Sequence, residues 1–535
     1  MKSICYINPA SNVISYYGSA VVAASGREPA CVVADLAITT VAALTPRDFA
    51  VRLWDESLGP VDLDMDVDFV GITGKSSQAD RMIRLADEFR ARGKTVIIGG
   101  PYASLSPARV REHCDILVRG EIEAIAGELF ADLAAGTWRD EYVGGRPDIT
   151  RSPVPRWDLY PNDRAIDGAL QTSRGCPFEC EFCDVIQYLG RKQRFKTPAQ
   201  IVAELDELAR HGYRRAFLCD DNFTVARKRA REVLEVMRDW NARRGPDGAL
   251  AFHTQASIEA AEDLELLRLC VEAGLTTTFI GIETPSEESL RETRKFQNLR
   301  RSMQDSIETF VATGIAVRGG LIAGFDSDGP DIFERLYEFG MSLPIPFFSL
   351  TALAAQEATP LYARLAAEGR LVDDGDPTIG ELYRTNVVPL RMTREELFLG
   401  LKWLGNALYH PRAFRERMRR FLALFGTAAP ASLHCRTRWR SLRRVELDQL
   451  CVIKNLRKRG PDEDALVREV LDTVTARPWT GPEAMDAMLT YAQIRYAYEL
   501  AGLWDPSVVP AGPFGGRLVP DAAAAIASAS DSMVG

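Results

Sequence analysis

Over residues 1 to about 145, short apolar runs alternate with amphipathic stretches. Ser3 to Ile7, Phe49 to Trp54, Asp68 to Thr73, Thr95 to Gly99 and Ile116 to Arg119 read as β-strands, rich in branched side chains. Ala79 to Arg92 places Met82, Ile83, Leu85, Ala86 and Phe89 at helical spacing. Alternation of this kind predicts an α/β domain with a parallel sheet covered on both faces. From Leu170 a second series follows. Helices are predicted over Pro198 to His211, Arg227 to Arg243, Leu264 to Ala273, Glu287 to Arg294 and Arg301 to Thr313. Strands are predicted over Arg215 to Cys219, Ala251 to Ala256, Thr277 to Ile282 and, closing the set, Val317 to Ala323. Repeated βα units predict a full or partial barrel with its chemistry at the carboxyl ends of the strands.

The stretch between the two series, residues 146–168, is rich in proline, arginine and aspartate and reads as a linker. Beyond about 350 the periodicity is helical: Leu361 to Glu368, Arg394 to Leu408, Pro411 to Phe425 and Asp462 to Arg477. Arginine crowds the span from Arg412 to Arg459. It forms either the outer face of amphipathic helices or a lid over the barrel mouth. The tail, 521–535, is rich in alanine and serine and reads as disordered. The expected division is 1–145, 146–168, 169–350, 351–520 and 521–535.

Composition narrows the classes. At 535 residues the chain needs two or three cores. With 46% hydrophobic and 26% charged residues and a net charge of −9, it reads as a soluble protein and not as a generic nucleic-acid binder. No apolar run reaches bilayer length and no signal-peptide pattern opens the chain, so the cytoplasm is expected, with no membrane insertion. Ten cysteines then point to thiols that ligate metal or sit buried. Cys5, Cys31, Cys114, Cys219 and Cys270 lie in apolar segments and are expected in the core.

The remaining chemistry concentrates in Thr172-Ser173-Arg174-Gly175-Cys176-Pro177-Phe178-Glu179-Cys180-Glu181-Phe182-Cys183. Three thiolates in one tight loop can hold three irons of a cubane 4Fe–4S cluster and leave the fourth open. An open position is what distinguishes a catalytic metal site from a structural one. A zinc knuckle would need a fourth ligand nearby, yet the next histidine is His211 and the next cysteine Cys219.

In the first domain, ligands are expected at the strand ends: Thr73-Gly74-Lys75-Ser76-Ser77, Gly99-Gly100-Pro101-Tyr102 and Arg119-Gly120-Glu121. Gly74-Lys75-Ser76 resembles the end of a P-loop, but the earlier glycine that motif requires falls on Phe69. No G-x-G-x-x-G occurs.

C-x3-C-x-aromatic-C in a glycine-rich loop resembles the cluster motif of the radical S-adenosylmethionine (SAM) superfamily, and the resemblance covers residues 165 to about 350. It implies a partial (β/α)6 TIM-type barrel in which Cys176, Cys180 and Cys183 hold a 4Fe–4S cluster. SAM bound to the open iron is cleaved reductively to a 5′-deoxyadenosyl radical. The same resemblance places Phe182 beside SAM and Asp220, Asp221 and Asn222 near its methionine amine. Gly281-Ile282-Glu283 matches the family's G-I-E segment, giving Gly281 and Glu283 at the adenine and ribose. Gly319 to Phe325 matches its glycine-rich last strand, with Gly320 and Gly324. Gln255 and Ser257 end the intervening strand and can bond ribose or carboxylate.

The order of features before the barrel resembles the Rossmann-like (flavodoxin-like) cobalamin-binding domain of one large subgroup. That implies Thr73, Gly74, Ser76, Ser77, Gly99, Gly100, Pro101, Arg119, Gly120 and Glu121 around the corrin and its nucleotide tail. Small residues suit a flat macrocycle because the backbone must approach closely. The D-x-H-x-x-G signature is absent: the first loop reads Asn8-Pro9-Ala10-Ser11-Asn12, and the domain's one histidine, His113, lies elsewhere. Cobalamin is therefore expected without histidine on cobalt.

The implied activity is methylation of an unactivated carbon of a small-molecule substrate. Radical rearrangement, cyclisation or oxidation without methyl transfer is the alternative, and a non-catalytic iron–sulfur sensor or electron carrier a remoter one. The basic stretch Gly190-Arg191-Lys192-Gln193-Arg194-Phe195-Lys196 is read either as a solvated loop or as a patch for anions. The anion would be a substrate, a cofactor phosphate or an acidic electron donor such as flavodoxin or ferredoxin.

Overall fold

A computed structural model describes residues 1–11, 18–372, 382–434 and 442–508. Asn12 and the tail at 521–535 lie outside the described residues. The first third of the chain contributes β1 (Lys2–Asn8), β2 (Cys31–Val33), β3 (Phe49–Asp55), β4 (Phe69–Thr73), β5 (Thr95–Gly99), β6 (Ile116–Arg119) and β7 (Glu141–Val143). All but β2 form one sheet in the order β3-β1-β4-β5-β6-β7, parallel throughout. The chain leaves β1 toward β3 and then returns to β4 on its other side, so the strand order reverses at β1. A crevice outside the carboxyl ends is expected at such a reversal. The helix Ala79–Ala91 buries Met82, Leu85, Ala86 and Phe89 against this sheet, the stripe its spacing predicts.

The second sheet uses β8 (Ala165–Leu170), β11 (Arg215–Leu218), β12 (Ala251–Gln255), β13 (Leu275–Glu283), β14 (Ala316–Ala323) and β15 (Phe347–Ala352), while β9 (Ser173–Arg174) and β10 (Arg194–Phe195) form a short antiparallel ribbon. Its order is β15-β14-β13-β12-β11-β8-β2, parallel, a curled partial barrel. The sequence reading misses β7 at the edge of the first sheet, the short β9–β10 ribbon and three strands of the barrel: β8, which ends where the second series was taken to begin, β2 and β15. β2 pairs Cys31 with Ala165 and Val33 with Asp167, so the first third of the chain lends the barrel its seventh strand. Three residues are too few to show a period. β15 follows the strand that the sequence takes as last; Pro344 and Pro346 directly before it disguise the run as a loop.

The later helices include Arg394–Tyr409, Pro411–Leu424, Arg444–Leu456, Pro461–Ala476 and Gly481–Leu500. Gly481–Leu500 is buried on most sides, so it carries no amphipathic stripe to announce it. These helices close the floor of the barrel. Arg443 donates to the carbonyls of Ala165 (3.0 Å) and Ile166 (3.1 Å) at the start of β8. Arg417, fully buried, donates to Ile345 and Pro346 just before β15. Asp486 pairs with Arg215 at the start of β11 (3.2 Å) and with Arg318 of β14. The expectation of an arginine-rich lid over the mouth is therefore corrected. Within the span, Arg417 and Arg443 hold strand-start carbonyls at the opposite end, while Arg412, Arg419 and Arg444 pair with Asp462, Glu469 and Glu28 on the exposed outer face, as the other reading expected. Among the described residues no helix is long and apolar enough to cross a membrane.

Candidate active site

The cysteine loop leaves β8 and is anchored from β11. Asp220, fully buried, accepts from Thr172 N (2.7 Å), Thr172 Oγ1 (2.5 Å) and Ser173 Oγ (2.7 Å). Its carboxylate is thus committed to the loop, and the neighbouring Asp221 is the one that reaches the cavity. Gly175 has φ +98°; a Cβ there would lie 2.8 Å from Gly190 O and 2.9 Å from Lys192 O. That glycine lets the chain turn from Arg174 into Cys176, whose N–H bonds Gly190 O at 3.2 Å. Cys180 is buried, with Cys176 and Cys183 partly exposed, and the nine described cysteines are all free thiols. Burial pushes the Cys176 and Cys183 thiols up, Cys183 to about 12. Bound iron would have to displace those protons, as metals do at coordinating thiols. No three His, Cys, Asp or Glu side chains among the described residues converge to hold a single ion. A cubane asks no such convergence, since each thiolate takes its own iron.

After the neighbouring strands β11 and β12 lie polar atoms that nothing in the protein satisfies. Asn222 Oδ1, after β11, and Ser257 Oγ, after β12, are buried without a hydrogen-bond partner. The Asn222 side chain also opposes the rise of the Cys176 thiol that burial causes. Buried polar atoms are almost always paired, so two orphans at adjacent strand ends of the barrel fit a bound polar cofactor such as SAM. Asp221, whose Oδ2 accepts from Gly175 N at 2.9 Å, is pushed up to about 6, chiefly by burial. Gln255 lines the same cavity.

Other members of the expected SAM set do different work. Glu283 ends β13 with φ +67°, a conformation costly for a residue with a side chain, and its carboxylate takes Lys295 Nζ at 2.6 Å. A Cβ on Gly281 would sit 2.3 Å from Glu283 Oε1 and 2.9 Å from Lys295 Nζ, so the glycine of G-I-E makes room for this ion pair. Gly320 gives way to the Phe279 ring, and Gly324 (φ +103°) packs against Leu397. Phe182 leans on Phe325 (centroids 6.4 Å apart), with Lys295 Nζ 5.9 Å from the Phe182 ring. Burial pulls the Lys295 ammonium down, but the Glu283 carboxylate, joined by Cys180 and Cys183 once they are thiolates, outweighs it and holds the lysine charged.

A cavity of about 870 Å³ runs from the first sheet's carboxyl edge into the barrel. Thr73, Gly99, Gly100, Pro101, Gly120 and Glu121 line its upper part. Gly100 (φ +91°) is pressed so close to the β4 loop that a Cβ would meet Thr73 Oγ1 at 2.3 Å. Asp221, Gln255, Phe279, His253 and Arg318 line its barrel part. A Cβ on Gly99, Gly100 or Gly120 would meet Val118, Thr73 or Gly145, so these glycines let the loops pack closely on one another, and the loops with apolar Ile38, Val41 and Leu129 shape a cavity that fits a flat macrocycle.

Gly74, Ser76, Ser77 and Arg119 do not line it. Gly74 packs on Met82, Ser77 O accepts from Ser11 Oγ (3.1 Å), and Arg119 pairs outward with Glu141. Glu121 does line it, yet its carboxylate is taken by Arg174 (2.6 Å) and Arg194 (2.8 Å). His113 bonds Asp87 at 2.8 Å and does not line the cavity. His253 does, 3.0 Å from Asp167, with burial keeping it neutral.

Sequence reasoning missed Lys75, Ser104 and the wall from Val32 to Val41. Lys75 stood in a loop already singled out; the wall was hidden with β2. Gln297, which donates to Cys180 Sγ at 3.6 Å, and Lys295 sit in a polar stretch that reads as solvated loop. Their only signal was position, directly after the G-I-E strand. Cys219, expected in the core, is partly exposed and lines the cavity. The basic stretch is not a basic face. Arg194 is largely buried against Glu121, Lys196 is buried against Glu204, and Arg191 pairs with Glu179, leaving Lys192 exposed beside it.

A parallel-sheet domain set against a partial barrel, with three cysteines and unsatisfied polar atoms at the carboxyl ends of the strands, defines a class of iron–sulfur barrel enzymes. The radical SAM superfamily profile matches residues 170–340, and a domain of unknown function matches 359–458. The chain is 34% identical over 429 residues to an uncharacterized methyltransferase of Synechocystis sp., covering 78% of this chain and 77% of that protein. It is 33% identical over 388 residues to the hopanoid C-2 methylase of Rhodopseudomonas palustris, covering 71% and 72%. In fold it resembles the radical SAM methyltransferase TsrM of Kitasatospora setae, solved with cobalamin and a [4Fe-4S] cluster. The TM-score is 0.59 at 15% identity, over 88% of this chain and 99% of that one. The chain belongs to the radical SAM superfamily and is an enzyme, which sets aside the sensor and electron-carrier readings.

Proposed function

We propose that this enzyme is a cobalamin-dependent C-methylase acting on an unactivated carbon of a small, largely apolar molecule. The observation that carries this reading is the single cavity joining the glycine loops of the first sheet to the barrel mouth. A methyl carrier held at one end and a radical formed at the other would share one space. When bound, SAM at a reduced 4Fe–4S cluster supplies a 5′-deoxyadenosyl radical that abstracts a hydrogen atom, and methylcobalamin supplies the methyl group.

The chain's own part is holding and excluding. Cys176, Cys180 and Cys183 hold three irons. Asn222 and Ser257 offer free acceptors to the polar end of SAM, and Asp221 offers a carboxylate to its ammonium. Gly100 and Gly120 hold the two loops in the close-packed shape against which a corrin would lie. Lys75 and Asp35 face the same space, as does His253 from the barrel, while His113 is bonded to Asp87 outside it. The apolar wall of Val32, Ile38 and Val41 keeps water from a reactive carbon radical. An external one-electron donor, flavodoxin or ferredoxin, reduces the cluster.

The hopanoid C-2 methylase relative supports a substrate of that apolar kind. The test is incubation of reconstituted enzyme, reductant and deuteromethyl SAM with a hopanoid. One labelled methyl in the product, with both 5′-deoxyadenosine and S-adenosylhomocysteine formed, is expected. Deoxyadenosine without methyl gain removes the methylase reading in favour of radical rearrangement, cyclisation or oxidation.

A further inference from the structure

The segment Thr293 to Leu299 folds back from β13 over the cysteine loop. Thr293 O accepts from Glu181 N at 3.1 Å, between Cys180 and Cys183 in sequence. Asn298 Nδ2 bonds the carbonyls of Gly281 (3.0 Å) and Ile282 (2.9 Å), and Lys295 is locked to Glu283. Three attachments therefore tie the segment to the cysteine loop and to the end of β13. Between them stands Gln297, 6% exposed, with Nε2 donating to Cys180 Sγ at 3.6 Å. An amide buried so deeply and aimed at a cluster cysteine has a job that neither packing nor substrate contact requires. It does not line the cavity.

We propose that Gln297 sets the reduction potential of the cluster. Reduction adds a negative charge that spreads onto the thiolate sulfurs. An N–H aimed at one of them in a dry environment stabilises the reduced state more than the oxidised one and raises the potential. Gln297 is thus a positioning residue that acts through Cys180, and Lys295 and Asn298 hold it in place. The proposal rests on the radical SAM assignment, and an iron count separates failure of one from failure of the other.

The test is a redox titration of the anaerobically reconstituted enzyme, followed by electron paramagnetic resonance, on wild type and Gln297→Leu. With four irons per chain in both, the variant should need a lower potential, a tenfold loss of reduced fraction at fixed potential being about 59 mV for one electron. Gln297→Glu, which keeps the shape but adds an acceptor, should fall at least as far. Equal potentials at equal iron content overturn the proposal. Should Gln297→Leu lose its cluster, the wild type decides. Pulsed ENDOR of its reduced cluster must show a strongly coupled proton that exchanges in D2O and vanishes in Gln297→Glu. Its absence also overturns the proposal.

Discussion

Arg174, two residues before the first cluster cysteine, donates to Glu121 at 2.6 Å and to Glu123 at 2.7 Å in the loop after β6. The cysteine loop and the expected corrin loop are therefore one ion-paired unit, with Arg194 adding a second cation at Glu121. These side chains are largely buried, so breaking the pair costs more than a surface salt bridge.

Glu121→Ala strands Arg194 without its carboxylate. Chemical unfolding should show a loss of about 3–5 kcal/mol, the usual result of unpairing a buried charge. A loss below about 1 kcal/mol, the range of exposed pairs, would contradict the coupling.

Gly100→Ala forces a side chain into left-handed backbone, at about 1–2 kcal/mol, and into Thr73 Oγ1. Cobalt bound per chain after incubation with hydroxocobalamin should fall several-fold while iron stays constant. Unchanged cobalt would mean that this loop does not cradle the corrin.

Ser257→Ala separates two effects. The apo protein should be no less stable, and by up to about 1 kcal/mol more so, because an unpaired buried hydroxyl is removed. SAM binding to the reconstituted protein should weaken about tenfold, the worth of one hydrogen bond of about 1.4 kcal/mol. Unaltered SAM affinity would take Ser257 out of the cofactor site.

Glu292 offers a test by pH. Burial, with help from Asp326 and Asp328, raises its carboxyl from 4.5 to about 7. A raised acid favours its neutral form in the fold, so its contribution is complete below about pH 4.5 and is lost as pH rises through 7. In Glu292→Gln, thermal unfolding from pH 4.5 to 8 should show a stability that falls less with rising pH than the wild type's. Parallel curves would show that Glu292 titrates normally.

Much of this was legible before any coordinates. The helical stripe of Met82, Leu85, Ala86 and Phe89 and the C-x3-C-x2-C loop are local patterns, and local patterns survive in one dimension. What was lost was relational. Asp220 and Asp221 look equivalent in sequence, yet one anchors Thr172 and Ser173 while the other faces the cavity. Arg443 and Arg417 look like a solvated face because burial against carbonyls at 165–166 and 345–346 is set by distant strands. β2 joins the barrel through partners more than 130 residues away in sequence, a pairing no short window reveals.

The central claim is that one cavity serves two cofactors. The most direct measurement is the iron and cobalt content per chain after anaerobic reconstitution of the cluster in the presence of hydroxocobalamin. The account predicts about four irons, as a 4Fe–4S cluster requires, and about one cobalt. Four irons without cobalt would contradict the shared site and leave the glycine loops unexplained, and zinc in place of iron would contradict the whole assignment.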